Sequence, residues 1–283
     1  MKQRDSEEFI MLPTVDFCFK ELMKNEKARK GFVAAVIGKD PKKIRRTELL
    51  PTELRRESED DKQGILDVLI ELEDSSMMNM EMQVPYFEFW PNRILFYISK
   101  VYSGQIREGE GYDQLRKCIH VSILDFIHFP QDKRCYRKVL FCDADTGEVY
   151  TDLMELHILE LKKLPPEDQN EAGIIRWMRF LSGKSRKEFD HMAEKDEYIR
   201  EACGELKKLS LDEKKRLEYE LRQKAIRDYN TQIHSAEKRG EQRGIQDTLK
   251  RLVKANAEAG KTREEIAEFL GIDLLEVQKL IEE

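Results

Sequence analysis

Residues 64–85 constrain the fold more than any other part of this sequence, because two adjacent runs within them alternate apolar and polar side chains. Successive residues of a β-strand point to opposite faces of the sheet. Eight apolar side chains therefore share one face: Leu66, Val68, Ile70, Leu72, Met78, Met80, Met82 and Val84. The opposite face carries Asp67, Glu71, Asn79, Glu81 and Gln83. The pattern predicts a two-stranded hairpin with one apolar and one acidic face.

The bend of this hairpin falls at residues 73–75, Glu-Asp-Ser. A three-residue loop there pairs Leu72 with Ser76 and places Asp67 opposite Glu81. Like charges directly opposite each other destabilise a strand pair. A cation between the two carboxylates removes this penalty, and hard divalent ions prefer carboxylate, carbonyl and water oxygens. The alternative interpretation is an ordinary solvated acidic face.

Four segments, taken in order, resemble one known family. They are Asp16–Leu22, the hairpin with Asp67 and Glu81-Met82-Gln83, Tyr97–Gln105 and Ile119–Asp125. Their order is similar to the Rpn family of recombination-promoting nucleases and putative transposases, in the PD-(D/E)XK nuclease superfamily. The resemblance implies an α/β fold with a mixed sheet, built on a restriction-endonuclease-like αβββαβ core. A C-terminal helical extension follows that core.

The resemblance also implies a Mg²⁺-dependent DNA endonuclease, with Mn²⁺ as the alternative ion, that promotes recombination by breaking DNA. Asp67 and Glu81 would be catalytic metal ligands, and the Met82 carbonyl would complete the protein's share of the ligands. Gln83 stands where the wider superfamily has Lys, and its amide can orient a water but brings no positive charge. Asp16 would be an accessory acid, or alternatively only a helix N-cap. The rival function is a catalytically inactive nuclease fold that binds DNA or assembles.

The distribution of charge along the chain indicates where it would contact DNA. The net charge of −6 argues against a surface coated with positive charge for DNA. Residues 39–56 nevertheless hold seven basic and three acidic residues. We expect four of the basic residues to contact phosphates, with a solvated loop as the alternative: Lys42, Lys43, Arg45 and Arg46.

Composition also bears on location. No apolar run approaches the length of a membrane span. The first residues lack the apolar segment of a secretion signal, and the five cysteines are scattered without metal-site spacing. We therefore expect a cytoplasmic protein with reduced thiols and no membrane partner.

Periodicity and turn residues divide the chain into three predicted segments. Residues 1–165 form the nuclease-like domain, which ends at a Pro-Pro pair. Residues 166–245 form a helical extension, whose apolar stripe from Leu217 to Ile233 we expect to pack within its own domain. Gly240 and Gly244 predict a hinge or break in that helix.

Residues 246–283 form the third segment, a small tail that resembles a helix-turn-helix around Gly271. Thr262 and Asp273 each begin a predicted capping box. The second helix of the tail carries more acidic than basic residues, which opposes contact with DNA phosphates. Packing, or a homo-oligomer through the helical C-terminal region, is therefore preferred over DNA reading.

Overall fold

The computed structural model describes residues 9–54, 64–86 and 88–282, which contain six strands and nine α-helices. The strands are β1 (Thr47–Leu50), β2 (Val68–Leu72), β3 (Met77–Gln83), β4 (Cys118–Leu124), β5 (Tyr136–Cys142) and β6 (Val149–Glu160). The helices are α1 (Asp16–Lys24), α2 (Glu26–Ile37), α3 (Trp90–Ser103), α4 (Gly173–Ser182), α5 (Arg186–Lys195), α6 (Glu197–Leu211), α7 (Glu213–Glu258), α8 (Arg263–Leu270) and α9 (Leu274–Glu282).

All six strands form one mixed sheet in the order β1-β2-β3-β4-β6-β5. The pairs β1/β2, β2/β3 and β5/β6 are antiparallel, whereas β3/β4 and β4/β6 are parallel. The helix α3 connects β3 to the parallel strand β4, as a crossover between parallel strands requires. This order confirms the predicted αβββαβ core and the second hairpin.

The register of the first hairpin is the predicted one. The amide of Leu72 donates to the carbonyl of Ser76 at 2.9 Å, and Val68 pairs with Met80. Ser75 closes the three-residue loop with φ of 62°, in the left-handed region. The same register, extended by one residue, sets Asp67 beside Glu81.

One face of the sheet packs on α1, α2 and α4–α6 through a continuous apolar core. A chain of aromatic contacts connects these helices, with ring centroids 5.5–6.2 Å apart: Phe19, Phe32, Trp177, Phe180 and Phe189. The helices α2 and α6 approach closely at Gly31, where an added Cβ would lie 2.3 Å from the Cβ of Tyr198. This layer fixes α1, which borders the candidate site.

The other face of the sheet packs on α3, which excludes the alternative of a solvated acidic face and contradicts the predicted position of Leu66. Asn79 and Glu81 are only 2% and 6% exposed, so this face is not a solvated acidic surface. Leu66 packs with Leu69 and Ile98 on the α3 side and not with Val68. The alternation fails there because Leu66 and Asp67 precede the first paired residue of β2.

The chain divides into two compact units, Met1–Lys224 and Ala225–Glu283. The predicted division at residues 165 and 245 stays a prediction, but the first unit extends past residue 165. Side chains of α4–α6 and Tyr219 of α7 belong to the same core as the sheet. The hydroxyl of Tyr219 accepts a hydrogen bond from the Leu12 amide at 3.1 Å. The helices up to residue 224 therefore complete the first core.

Two expectations about α7 were also wrong. The helix runs without a break through Gly240 and Gly244 over 46 residues, since a glycine weakens a helix without necessarily ending it. Leu217 and Leu221 are exposed, not packed. Side chains spaced four apart drift around a helix of 3.6 residues per turn, and Tyr219 provides the buried contact instead.

The second unit has a small core of its own, as predicted. Val253, Ile266 and Val277 are fully buried and pack with Leu270 and Leu280. The capping box at Thr262 is complete, with its hydroxyl and the Glu265 carboxylate bonded reciprocally to backbone amides.

None of the helices in the described ranges is long and apolar enough to cross a membrane.

The two glycines within α7 predict a gain in stability. Nothing lies within 4 Å of a Cβ added at Gly240 or Gly244, so alanine fits without a clash. We expect Gly240→Ala and Gly244→Ala each to raise the free energy of unfolding by about 1 kcal/mol, because alanine lowers the entropy of the unfolded chain. Denaturant unfolding followed by circular dichroism measures this effect.

Gly271 provides the matched control in the same unit. It ends α8 with φ of 67° and also has open space around it. Alanine there should destabilise by about 1 kcal/mol, because the left-handed conformation disfavours a Cβ. Destabilisation by the α7 substitutions would contradict the expected helix at those glycines.

Candidate active site

Asp67 and Glu81 lie side by side where the first hairpin opens. The Asp67 amide donates to Oε1 of Glu81 at 3.0 Å. The Met82 amide donates to Oδ2 of Asp67, also at 3.0 Å. These reciprocal bonds follow from the strand register and hold both carboxylates at one place. One oxygen of each carboxylate, Oδ1 of Asp67 and Oε2 of Glu81, takes no part in them.

Two cations contact those remaining oxygens. Lys20 Nζ, from α1, lies 2.9 Å from Oδ1 of Asp67. Arg93 Nη2, from α3, lies 3.4 Å from Oε2 of Glu81. The two helices cover opposite faces of the sheet, so the acid pair lies where both layers meet. Each cation is about one-third exposed, which leaves the site accessible from solvent.

Burial and the neighbouring charge perturb Glu81. Its side chain is 7% exposed, and desolvation followed by repulsion from Asp67 raises its pKa to about 7. The bond from the Asp67 amide and the charge of Arg93 oppose that rise. A carboxylate with a raised pKa beside a second carboxylate favours the approach of a cation.

Gln83 is already hydrogen-bonded at both ends of its amide. Its Nε2 donates to the Pro85 carbonyl at 3.0 Å, and its Oε1 accepts from Nη1 of Arg93 at 3.2 Å. The side chain therefore orients Arg93, which in turn contacts Glu81. The predicted role in orienting a water stays a prediction, and Met82 likewise stays a predicted carbonyl ligand.

Asp16 lies in the first turn of α1, one turn before Lys20. It is not the N-cap, since Val15 occupies that position without a side-chain bond. Oδ2 of Asp16 lies 3.6 Å from Nη1 of Arg222, which follows Tyr219 on α7. Asp16 is thus near the α1 side of the site, and its accessory role stays a prediction.

The predicted DNA-contacting residues are exposed but lie at the other end of the hairpin. They directly precede β1, whose first residue, Thr47, pairs with Leu72. Asp67 and Leu72 are five residues apart, or about 17 Å along a strand. Arg46 forms an ion pair with Glu48. The structure therefore does not place the basic residues, Lys42, Lys43, Arg45 and Arg46, against the carboxylates.

A buried polar strip continues from Glu81 beneath α3. The amide nitrogen of Asn79 donates to Nδ1 of His120 at 3.0 Å, which leaves Nε2 to donate to the Ser122 hydroxyl at 2.8 Å. Complete burial lowers the pKa of His120 to about 3, so the ring is neutral. Asn79 Oδ1 is buried without a hydrogen-bond partner in the described residues.

Three residues of the site are not predicted from the sequence: Arg93, Lys20 and His120. A signal for the first was available, because Arg93 and Lys100 are the two basic residues in the otherwise largely apolar α3. Lys20 follows Asp16 by four residues, which puts both on one helix face. No local pattern pairs His120 with Asn79, since the two residues are 41 positions apart in the chain.

The donor chemistry of the site suits a hard divalent ion. The groups available are the two carboxylates and the Met82 carbonyl, all oxygen donors. In the described ranges, no group of three or more His, Cys, Asp or Glu side chains could hold a metal. A site here would therefore rest on two carboxylates, with backbone and water oxygens completing the shell.

Together, a mixed sheet between two helical layers and an acid pair on its central hairpin define a nuclease-fold protein. The chain belongs to the PD-(D/E)XK nuclease family transposase family, whose profile matches residues 13–236. This match confirms the family suggested by the sequence and covers most of the chain. Comparison with curated proteins and with solved structures gave no match.

The raised pKa of Glu81 predicts a pH-dependent stability. Below pH about 4.5, Glu81 is protonated in both the folded and the unfolded chain. Between pH 4.5 and 7 it is ionised in the unfolded chain but keeps its proton in the folded one. The contribution of Glu81 to stability is therefore full below pH about 4.5 and is lost as the pH rises to and through about 7. We expect Glu81→Gln to remove this decline. In metal-free buffer, the free energy of unfolding of the variant relative to that of the wild type should therefore rise by up to about 3 kcal/mol from pH 4.5 to 8.

Denaturant unfolding of both proteins at a series of pH values measures that difference. A difference that stays constant from pH 4.5 to 8 would mean that Glu81 is ionised throughout, against the raised pKa.

Proposed function

We propose that this protein is a metal-dependent DNA endonuclease that hydrolyses phosphodiester bonds and promotes recombination by breaking DNA. The observation that supports it most directly is the contact between Asp67 and Glu81, with the Glu81 pKa raised to about 7 by burial and by Asp67. Two carboxylates in this arrangement repel each other unless a cation is present. The family to which the chain belongs is named for nucleases.

In this proposal Asp67, Glu81 and the Met82 carbonyl hold a Mg²⁺ ion, or Mn²⁺ in its place. Such an ion supplies Lewis acidity toward the phosphate and activates water. Lys20 and Arg93 then hold the phosphate next to the carboxylates by ion pairing. Gln83 keeps the Arg93 guanidinium in position through its hydrogen bond. Arg93 would thus supply part of the positive charge that the wider superfamily takes from Lys.

The second candidate is a catalytically inactive nuclease fold that binds DNA or assembles. The ion pairs of Lys20 with Asp67 and of Arg93 with Glu81 favour it, because they neutralise both carboxylates without a metal. The two candidate functions predict different results for metal binding. Calorimetric titration of the protein with Mg²⁺ and Mn²⁺ should give saturable binding for the endonuclease, and Asp67→Ala should abolish it.

We further propose that the basic residues before β1 contact the DNA backbone away from the cleaved bond. The distance of about 17 Å from Asp67 to Leu72 spans roughly five phosphates of one strand, at 3.4 Å each along the duplex axis. We place the protein in the cytoplasm, where all five free cysteines stay reduced. A homo-oligomer through the helical C-terminal region stays a proposal, supported by the exposed leucines of α7.

Substitution of Asp67 tests the catalytic role. We expect Asp67→Ala to fold normally and to lower plasmid nicking by roughly 10³-fold, because a metal ligand worth several kcal/mol is lost. Glu71→Ala, on the same hairpin but away from the site, is the matched control and should nick at the wild-type rate. Nicking by Asp67→Ala at the wild-type rate would refute the assignment, and unfolding of the variant would assign Asp67 a structural role.

Salt dependence tests the basic residues. In the Asp67→Ala background, Lys42→Ala/Lys43→Ala should weaken DNA binding and lower the slope of log K against log[salt] by about 1.8, or 0.9 for each phosphate contact. Fluorescence anisotropy with a labelled duplex measures that slope. The control Lys184→Ala/Lys187→Ala removes two exposed lysines from another surface. Equal slopes for the two variants would exclude a specific contact before β1.

A further inference from the structure

The second hairpin ends in an exposed arm, residues 139–153, that extends beyond the neighbouring strand. β4 pairs with β6 only from Met154 to Glu160, so the first part of β6 pairs with β5 alone. Tyr150 is 86% exposed. Five large apolar side chains of the arm are exposed: Val139, Phe141, Val149, Tyr150 and Leu153. Such a group of apolar side chains on one hairpin is typical of an association surface.

β5 is also one edge of the sheet. In the described part of the chain it pairs with β6 alone. The pairing is regular from Tyr136 to Val139 and shifts register between Val139 and Cys142, so alternate backbone N–H and C=O groups point outward along Tyr136–Val139. A strand edge with unpaired backbone groups is a template for another strand. The opposite edge, β1, has only four residues.

The charges at the two ends of β5 have opposite signs. Residues 132–138 contain four basic residues and one acidic residue, whereas the turn at 143–148 contains three acidic residues and no basic one. When two β5 strands pair in antiparallel orientation, the basic end of each lies beside the acidic turn of the other. This complementarity occurs twice about a two-fold axis. A second copy of the same chain therefore matches the edge in both shape and charge.

We propose that two copies of this chain form a dimer by antiparallel pairing of their β5 strands, which joins the two sheets into one. The exposed apolar side chains of each arm pack against those of the other copy. Lys133 and Arg134 of one copy face Asp145 and Glu148 of the other. The pairing occupies the β5 edge of both copies, so the assembly closes at two. The dimer does not depend on whether the protein cleaves DNA.

Charge reversal tests this dimer in the full-length chain. The first variant, Lys133→Glu/Arg134→Glu, makes both ends of β5 acidic, and the second, Asp145→Lys/Glu148→Lys, makes both ends basic. Asp143 is left unchanged because its carboxylate accepts two backbone bonds that shape the turn. Like-charge contacts are expected to raise the dissociation constant of each variant by tenfold or more. Sedimentation equilibrium of each protein measures that constant.

The two variants should associate with each other when mixed, because an acidic end then faces a basic end at both contacts. The wild-type dimer should also weaken as salt is added. Glu264→Lys/Glu268→Lys makes the same charge change as the second variant on exposed residues of α8, and it should dimerise like the wild type. Matching circular dichroism spectra would establish that the variants are folded.

Three outcomes would overturn the proposal. The first is a wild-type chain that stays monomeric at high micromolar concentration, which would leave the edge to a different partner. The second is a pair of reversed variants that dimerise as tightly as the wild type, which would place the contact elsewhere, such as on α7. The third is a mixture of the two variants that does not associate.

Discussion

The rest of the structure is organised around two carboxylates that the hairpin register forces together. Asp67 and Glu81 are linked by a backbone hydrogen bond and largely removed from water. A charge interaction that is weak in water becomes strong when both partners are shielded. The fold balances this repulsion with Lys20 from one helical layer and Arg93 from the other. Both layers must therefore pack correctly before the pair is neutralised.

The two proposed functions differ in which groups neutralise Asp67 and Glu81. With Lys20 and Arg93 in place, each carboxylate has a cationic partner without a metal. In the proposed endonuclease, a divalent ion would leave these two cations available for a phosphate. Arg93 belongs to both proposed arrangements. The hydrogen bond that it donates to Gln83 holds its guanidinium in position. The neutral His120 and Asn79 behind Glu81 keep the interior polar without adding another charge near the pair.

The surfaces proposed for larger partners lie at the two edges of the sheet. The exposed basic residues lie before β1, at the far end of β2 from Asp67. The opposite edge of the sheet ends in the arm, whose apolar side chains are exposed. These two surfaces lie at opposite ends of the strand order, β1 and β5. The proposed DNA contact and the proposed self-association would therefore use different edges of the sheet.

The sequence by itself determined the hairpin, its register, the order of helices and strands, and the pairing of Asp67 with Glu81. These features follow from local spacing, because the period of two and the loop length act between residues that are near in the chain. Only the tertiary structure decided which helix covers the acidic face, which cations reach the two carboxylates, and where the first core ends. Those features depend on packing between distant segments, such as Lys20 with Asp67 and Tyr219 with Leu12, and packing of this kind leaves no periodic pattern in a single sequence.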